Sequence, residues 1–345
     1  QMTVREIAAE LGVDAVIESS VLWLGDSVAI DVRLIDGRTE ESLWSRSYDE
    51  DARNVLVLYR QVTGAVADEI NAALTPQAEA RLATARPVNP QAYDAFLKGQ
   101  SHFQRLTPTD LEQALEYFQR ALSLDSTYAP AQAGIALVWW GQSPTQRAPG
   151  RAQARAAMNR ALALDSTLAE VQWVAAMIRA WLEWDWERAE AAFRKAIEIN
   201  PNYAEARAFY ANFLYIMERP EEGRAQMERA LELDPFNPTI RAFNGGLLHT
   251  ERRYAEAIEE LEAVLRVEPN HIAATVNLTV AYDKSGNYDE ALAMARTMNS
   301  GDQELLDALD RGYAEGGYRV AMLRLAETLA ARPDVHQVEV AWTYA

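Results

Sequence analysis

The chain has 345 residues, an apolar fraction of 49% and no cysteine. This length and apolar content exclude wholesale disorder, and the missing cysteine excludes disulfides and thiolate metal sites. Lys and Arg number 33 against 51 Asp and Glu, and the resulting formal charge of -18 disfavours binding to nucleic acid or to an anionic lipid surface.

The sequence shows neither a bilayer-spanning apolar run nor a signal peptide, so we expect no membrane insertion of this part of the protein. The acidic excess is typical of a solvated exterior. Because the first residue is Gln1 and not Met, we expect the chain to begin inside a longer polypeptide.

Residues 1–74 are predicted to form a small α/β module with the element order α-β-β-β-α. Thr3 and Glu6 fit a capping box and Gly12 supplies a stop, so residues 4–11 should form a helix. Alternating apolar residues between tight turns predict three strands, Ala15–Leu24, Val28–Ile35 and Leu43–Tyr48. Apolar residues with a helical period then predict a longer helix at about residues 53–74.

A connector with three prolines, residues 75–90, separates this module from a helical region, residues 91–345. The helical region has a period of 34 residues, which separates Pro201 from Pro235 and Pro235 from Pro269. Each period contains two amphipathic segments, and the second carries a small residue and a large one four positions later, as in Ala189 and Phe193. The pattern predicts about seven stacked helical hairpins, the last one degenerate, and a truncated carboxyl end.

This 34-residue pattern resembles the tetratricopeptide repeat, which implies a mainly α fold, a solenoid of helical hairpins. The first segment, REIAAELGVDAVIESSVLWLGDSVAIDVRLID with LWSRSYDED, is similar to the second half of the domain that resembles the amino-terminal module of TolB. Bacterial multidomain signalling proteins combine these two parts. The resemblance therefore implies an effector before Gln1, such as a kinase, a nucleotide cyclase or a winged-helix regulator, and a membrane span upstream. It favours the periplasmic side of a membrane, with the cytoplasm as the alternative.

A solenoid of this kind presents its concave face through the first helix of each hairpin. Helical phase places aromatic side chains and a few amides on that face, where they could anchor a peptide. The predicted groove residues are Phe96, Gln100, Phe103, Trp139, Ile178, Trp181, Phe209, Asn212, Tyr215, Phe243, His249 and Asn277. The alternative for each of them is packing against the neighbouring hairpin. Tetratricopeptide domains that clamp chaperone tails use basic residues here, and the matching positions in this chain are not basic.

We expect no enzyme activity, no cofactor and no metal site. The four histidines, His102, His249, His271 and His336, lie far apart, and the sequence contains no phosphate-binding loop, nucleophile elbow or zinc-binding helix motif. The predicted function is a protein–protein interaction scaffold or sensor region that binds a protein or peptide. The alternatives are a constitutive assembly subunit of a larger complex and, less favoured, a small-ligand sensor that uses the α/β module.

Overall fold

A computed structural model describes residues 3–24, 27–51, 55–69, 89–142 and 149–332. The chain divides into two compact units, Gln1–Lys98 with Arg120–Ser126 and Gly99–Gln119 with Thr127–Ala345. Nearly all of the predicted connector, residues 75–90, and the segment after Arg332 lie outside the described residues. The domain boundaries at residues 74 and 91 therefore stay predictions.

The first unit contains the predicted α-β-β-β-α module: α1 (Val4–Leu11), β1 (Ala15–Leu24), β2 (Ser27–Asp36), β3 (Ser42–Asp51) and α2 (Val55–Glu69). Thr3 and Glu6 form the predicted capping box, and Gly12 ends α1 with a φ of 64°. The strands pair antiparallel in the order β1-β2-β3. Val28, Val32 and Leu34 of β2 and Leu58 of α2 are buried and form the core of the module.

Two helices, α3 (Pro90–Phe103) and α4 (Pro108–Leu124), contribute residues to both units. Six helical hairpins then follow in the described part of the second unit. Their helices are α5 (Ala129–Gly141) and α6 (Pro149–Leu164), α7 (Ala169–Ile178) and α8 (Trp186–Ile199), α9 (Ala204–Ile216) and α10 (Pro220–Leu233), α11 (Pro238–Thr250) and α12 (Tyr254–Val267), α13 (Ile272–Ser285) and α14 (Tyr288–Met298), and α15 (Gln303–Gly316) and α16 (Tyr318–Ala330).

A small residue marks the close approach of the two helices in four successive hairpins. These residues stand one repeat period apart and are buried: Ala189, Gly223, Ala257 and Ala291. At the glycine, the ring of Tyr215 occupies the space of a side chain, because a Cβ on Gly223 would lie 2.5 Å from Tyr215 Cδ2. The departure from alanine at Gly223 is therefore matched by a bulky ring on the opposite helix.

The turn between the two helices of these hairpins also recurs at an equivalent position in each repeat. Trp184, Glu218, Arg252 and Gly286 all have a positive φ, of 57°, 56°, 63° and 84°. Left-handed backbone favours glycine, yet glycine stands at only the last of these four turns. The turn geometry is thus imposed by the packing of the hairpin and not by the residue.

Helix α7 continues into a π-helical turn, Arg179–Glu183, because its hairpin carries an extra residue. The helix begins at Ala169 and its left-handed turn is Trp184, whereas α9 begins at Ala204 and its turn is Glu218, so the first interval is longer by a single residue. A π turn is the usual way in which a helix takes up such an insertion. The insertion shifts the helical phase, and Ile178, at the start of the turn, has no exposed surface (0%).

The left-handed turns give a stability prediction. Replacing Glu218 with Gly should raise the free energy of unfolding by up to about 1 kcal/mol, because the left-handed strain is relieved, while Gly286→Ala should lower it by about 1 kcal/mol. Urea unfolding followed by circular dichroism measures both. Met217→Gly is the matched control. Met217 is the exposed neighbour of Glu218 and has a φ of -84°, so glycine there relieves no strain and should lower the free energy of unfolding. If Glu218→Gly and Met217→Gly lower the free energy of unfolding equally, Glu218 carries no left-handed strain.

The contact of Tyr215 with Gly223 gives a second prediction. Gly223→Ala should lower the free energy of unfolding by about 1–3 kcal/mol, because the new methyl group overpacks the ring. In a Tyr215→Ala background the same substitution should cost less, and a double-mutant cycle in urea measures the difference. If the cost of Gly223→Ala is the same in both backgrounds, the ring is not what excludes the methyl group.

Candidate functional site

The predicted groove residues lie on the first helices of their hairpins, and most of them are half-buried. The half-buried members are Phe96, Phe103, Trp139, Trp181, Phe209, Asn212, Tyr215, Phe243, His249 and Asn277. Gln100 is exposed, and Ile178 is buried. Phe96 belongs to the first unit and the others to the second.

A chain of aromatic contacts crosses three successive first helices. The ring of Trp181 lies 6.2 Å from that of Phe209, and Phe209 lies 4.6 Å from Phe243, with both pairs edge-to-face. Trp173, a core residue that is 9% exposed, supports Phe209 from the side at 5.5 Å. Edge-to-face pairs of this kind hold the rings in fixed orientations. The structure therefore brings Trp181, Phe209 and Phe243 together as one half-buried surface, called the aromatic row below.

The two predicted asparagines differ in their hydrogen bonds. The side chain of Asn277 is fully engaged: Nδ2 donates to the carbonyl of Ala273 at 2.9 Å and lies 3.4 Å from that of Ala242, while Oδ1 lies 3.3 Å from Nε2 of His249. Asn212, next to Phe209 on α9, makes no side-chain hydrogen bond to the described residues. Its amide can therefore serve a partner, whereas that of Asn277 joins helices.

Tyr215 and His249 occupy equivalent positions of successive repeats, and both bridge neighbouring hairpins. The Tyr215 hydroxyl donates to the carboxylate of Glu251, which follows α11. Burial, with the hydrogen bond to Glu251 second, raises the pKa of Tyr215 to about 12, so this phenol stays neutral. Burial lowers the pKa of His249. Neither side chain brings a charge to the face near neutral pH.

Two glutamates outside the predicted groove set bond neighbouring hairpins to each other. Glu251 accepts from Arg224 of α10 at 3.1 Å in addition to Tyr215. One hairpin earlier, Glu190 of α8 accepts from Tyr210 of α9 at 3.0 Å and from Arg219 at 2.7 Å. Burial opposes the charged form of each glutamate, yet the hydrogen bonds from arginine and tyrosine lower the pKa of both. Sequence gives no signal for these contacts, because each joins two hairpins.

Within the described residues, no group of three or more His, Cys, Asp or Glu side chains is arranged to hold a metal ion. No helix among those residues combines the length and apolar character needed to cross a membrane. A cleft of about 440 Å³ lies between α10, α11 and α12, but its lining is a mixture of arginines and glutamates, and Arg241 and Arg253 pair with Glu260 and Glu256 inside it.

Residues 180–243 and 248–312 match the family model of the tetratricopeptide repeat. Among solved structures, a chain of the APC/C hetero-tetramer Cut9-Hcn1 is 14% identical over 71% of this chain and 47% of its own, with a TM-score of 0.54. PilW, described as a widely conserved type IV pilus biogenesis factor, is 22% identical over 61% of this chain and 98% of its own, with a TM-score of 0.46.

A curated relative is the "Putative adenylate cyclase 3" of Rhizobium meliloti (strain 1021). It is 26% identical over 149 residues, which are 41% of this chain. The matched part is about a quarter, 25%, of the length of that relative. Three observations indicate the same repeat: the matched segments, the regular spacing of their packing residues and the stacked hairpins. The chain therefore contains tetratricopeptide repeats, and its helical region is a tetratricopeptide-type α-solenoid.

Proposed function

We propose that the second unit binds an extended peptide segment of a protein partner on the face formed by its first helices. The observation that carries this proposal is the aromatic row, a continuous half-buried surface on the π turn that extends α7, on α9 and on α11. Aromatic side chains held in fixed orientations give large contact areas at little cost in conformational entropy, and such residues dominate binding energy in interfaces.

The chemistry of the face favours an uncharged, apolar segment. None of the twelve predicted groove residues is lysine, arginine, aspartate or glutamate, and His249 is held neutral near neutral pH. An apolar side chain of the partner would lie on the aromatic row, and the amide of Asn212 would bond its main chain. An acidic tail would lose the hydration of its carboxylates and find no cation among these residues.

The binding site is tested first with a phage-displayed library of random linear peptides selected on the intact chain. We expect the selected peptides to be rich in apolar and aromatic residues and poor in acidic ones. The double variant Phe209→Ala/Phe243→Ala should bind them at least about tenfold more weakly, about 1.4 kcal/mol, because the row loses two of its three rings. Isothermal titration calorimetry gives the dissociation constants.

Phe236→Ala is the matched control, since Phe236 is a 53% exposed phenylalanine in the turn before α11 and lies outside the row. Asn212→Asp keeps the size of the side chain and should weaken binding by adding a charge to an apolar face. Far-ultraviolet circular dichroism and urea unfolding check that each variant is folded. Binding by the folded double variant that equals that of the unchanged chain would refute the site.

We also infer that this chain is the interaction arm of a larger bacterial signalling protein. The support is the relative named as a putative adenylate cyclase, of which the matched region is a quarter. Mass spectrometry of the native polypeptide should find peptides from an effector domain in the same species, which should be longer than 345 residues. A native species no longer than this chain would leave a free-standing scaffold instead.

A further inference from the structure

Two of the four histidines lie at one helix seam, between α11 and α13. His271 precedes α13 and caps it, since its Nδ1 accepts from the backbone N–H of Ala274 at 3.2 Å. The other ring nitrogen, Nε2, lies 3.4 Å from the Thr239 hydroxyl at the start of α11. His249, near the end of α11, has its Nε2 3.3 Å from Oδ1 of Asn277 on α13. One histidine thus bridges each end of the seam.

Asn277 is the centre of this seam. It stands one repeat after Phe243 and two repeats after Phe209, at the position that the aromatic row uses in those earlier hairpins. Its side chain lies over Gly246 of α11, where a Cβ would be 3.0 Å from Oδ1. Because Nδ2 is used by carbonyl groups, Oδ1 must accept, and His249 must donate from Nε2. At the position of Asn277 this seam is therefore held by hydrogen bonds, whereas the same position of the preceding seam is held by the rings of Phe209 and Phe243.

Protonation is incompatible with this arrangement at His271. The cap needs the lone pair of Nδ1, and a proton there would place a second donor against the Ala274 N–H. It would also put a positive charge at the positive end of the α13 dipole. At His249 a proton would charge a half-buried ring, and the positive charge of Lys284 on α13 already disfavours that proton. Two charged side chains act on the rings. Lys284 acts on His249, and Glu268, which follows α12, acts on His271.

We propose that the α11–α13 seam is an acid-sensitive joint in the binding face: when His271 and His249 take up protons, the seam loosens and the face loses its binding geometry. The proposal rests on the proposed function in one respect, that the seam adjoins the aromatic row at Phe243. The loosening itself is a property of the chain without any partner.

The direction of the pH effect follows from the two rings. Burial lowers the pKa of both histidines in the folded chain below the ordinary 6.5, although the charge of Glu268 partly opposes the shift at His271. Above pH 6.5 both states hold neutral rings and the seam is at full strength. As pH falls below that value, the unfolded and locally opened states bind protons that the closed seam rejects, so the seam loses stability with acid.

The preceding repeat shows which residue can replace His271 without bringing an ionisable ring. Asn237 is the equivalent of His271 in the preceding repeat and caps α11, with Oδ1 accepting from the N–H groups of Thr239 at 3.1 Å and Ile240 at 3.2 Å. His271→Asn should therefore keep the cap of α13 and remove its titration. His249→Gln likewise keeps a donor toward Asn277 without an ionisable ring.

The experiment is hydrogen exchange by nuclear magnetic resonance or mass spectrometry on the intact chain, at about pH 7.5 and about pH 5.5. Protection factors, which correct for intrinsic exchange, should fall by about tenfold at the start of α13 in the unchanged chain. In the double variant His271→Asn/His249→Gln they should stay constant. His102→Asn, which alters a histidine outside the seam, should leave the acid-induced loss intact.

An equal loss of protection in the double variant and the unchanged chain would overturn the joint. If His271→Asn alone fails to fold, His249→Gln decides, since it should remove part of the acid-induced loss.

The peptide selected at about pH 7.5 then tests the link to binding: its dissociation constant should rise on acidification in the unchanged chain and not in the double variant. Failure of all peptide binding at about pH 7.5 would sink the proposed function alone, because the exchange measurement needs no peptide.

Discussion

The close approach of two helices within each hairpin is the constraint on which the second unit depends. It requires a small residue at Ala189, Gly223, Ala257 and Ala291, and a large side chain such as Phe193 or Leu261, both fully buried, to fill the space beside it. A hairpin packed in this way still has apolar surface on its remaining sides, which only another hairpin can cover. Stacking follows, and the first helices become neighbours in a row.

That row explains why the aromatic side chains meet although they are distant in sequence. Phe209 and Phe243 occupy the same position of successive first helices, so one residue per hairpin is enough to build a continuous surface. The hairpins are fixed by hydrogen bonds to Glu190 and Glu251, which join tyrosine and arginine from neighbouring hairpins. A surface supported in this way is preorganised, so the proposed partner would not have to order it on binding.

The seams between first helices are not equivalent. At the position of Phe243 the contact between α9 and α11 is between two rings, whose attraction is indifferent to pH. Between α11 and α13 the equivalent position is Asn277, and the contact depends on which atoms of His249 and His271 carry protons. Replacing one phenylalanine by asparagine in the repeat thus exchanges dispersion for hydrogen bonding, and it makes one joint of the face sensitive to acid.

The sequence by itself determined the hairpins. The regular spacing of the prolines and small residues, the capping box at Thr3 and the alternation in the strands specify local backbone and the buried side of each element, and these depend on neighbours in the chain. It also placed Trp181, Phe209 and Phe243 on first helices, because helical phase is a local property.

Only the tertiary structure decided which side chains use those positions. The extra residue between the start of α7 and its left-handed turn is taken up by a π turn at Arg179–Glu183, and Ile178, predicted for the groove, is buried. The two asparagines differ in the same way. The amide of Asn212 makes no hydrogen bond to the described residues, whereas that of Asn277 bonds to α11. The physical reason is that periodicity fixes where a side chain points, whereas its partner comes from a different hairpin and is set by the stacking.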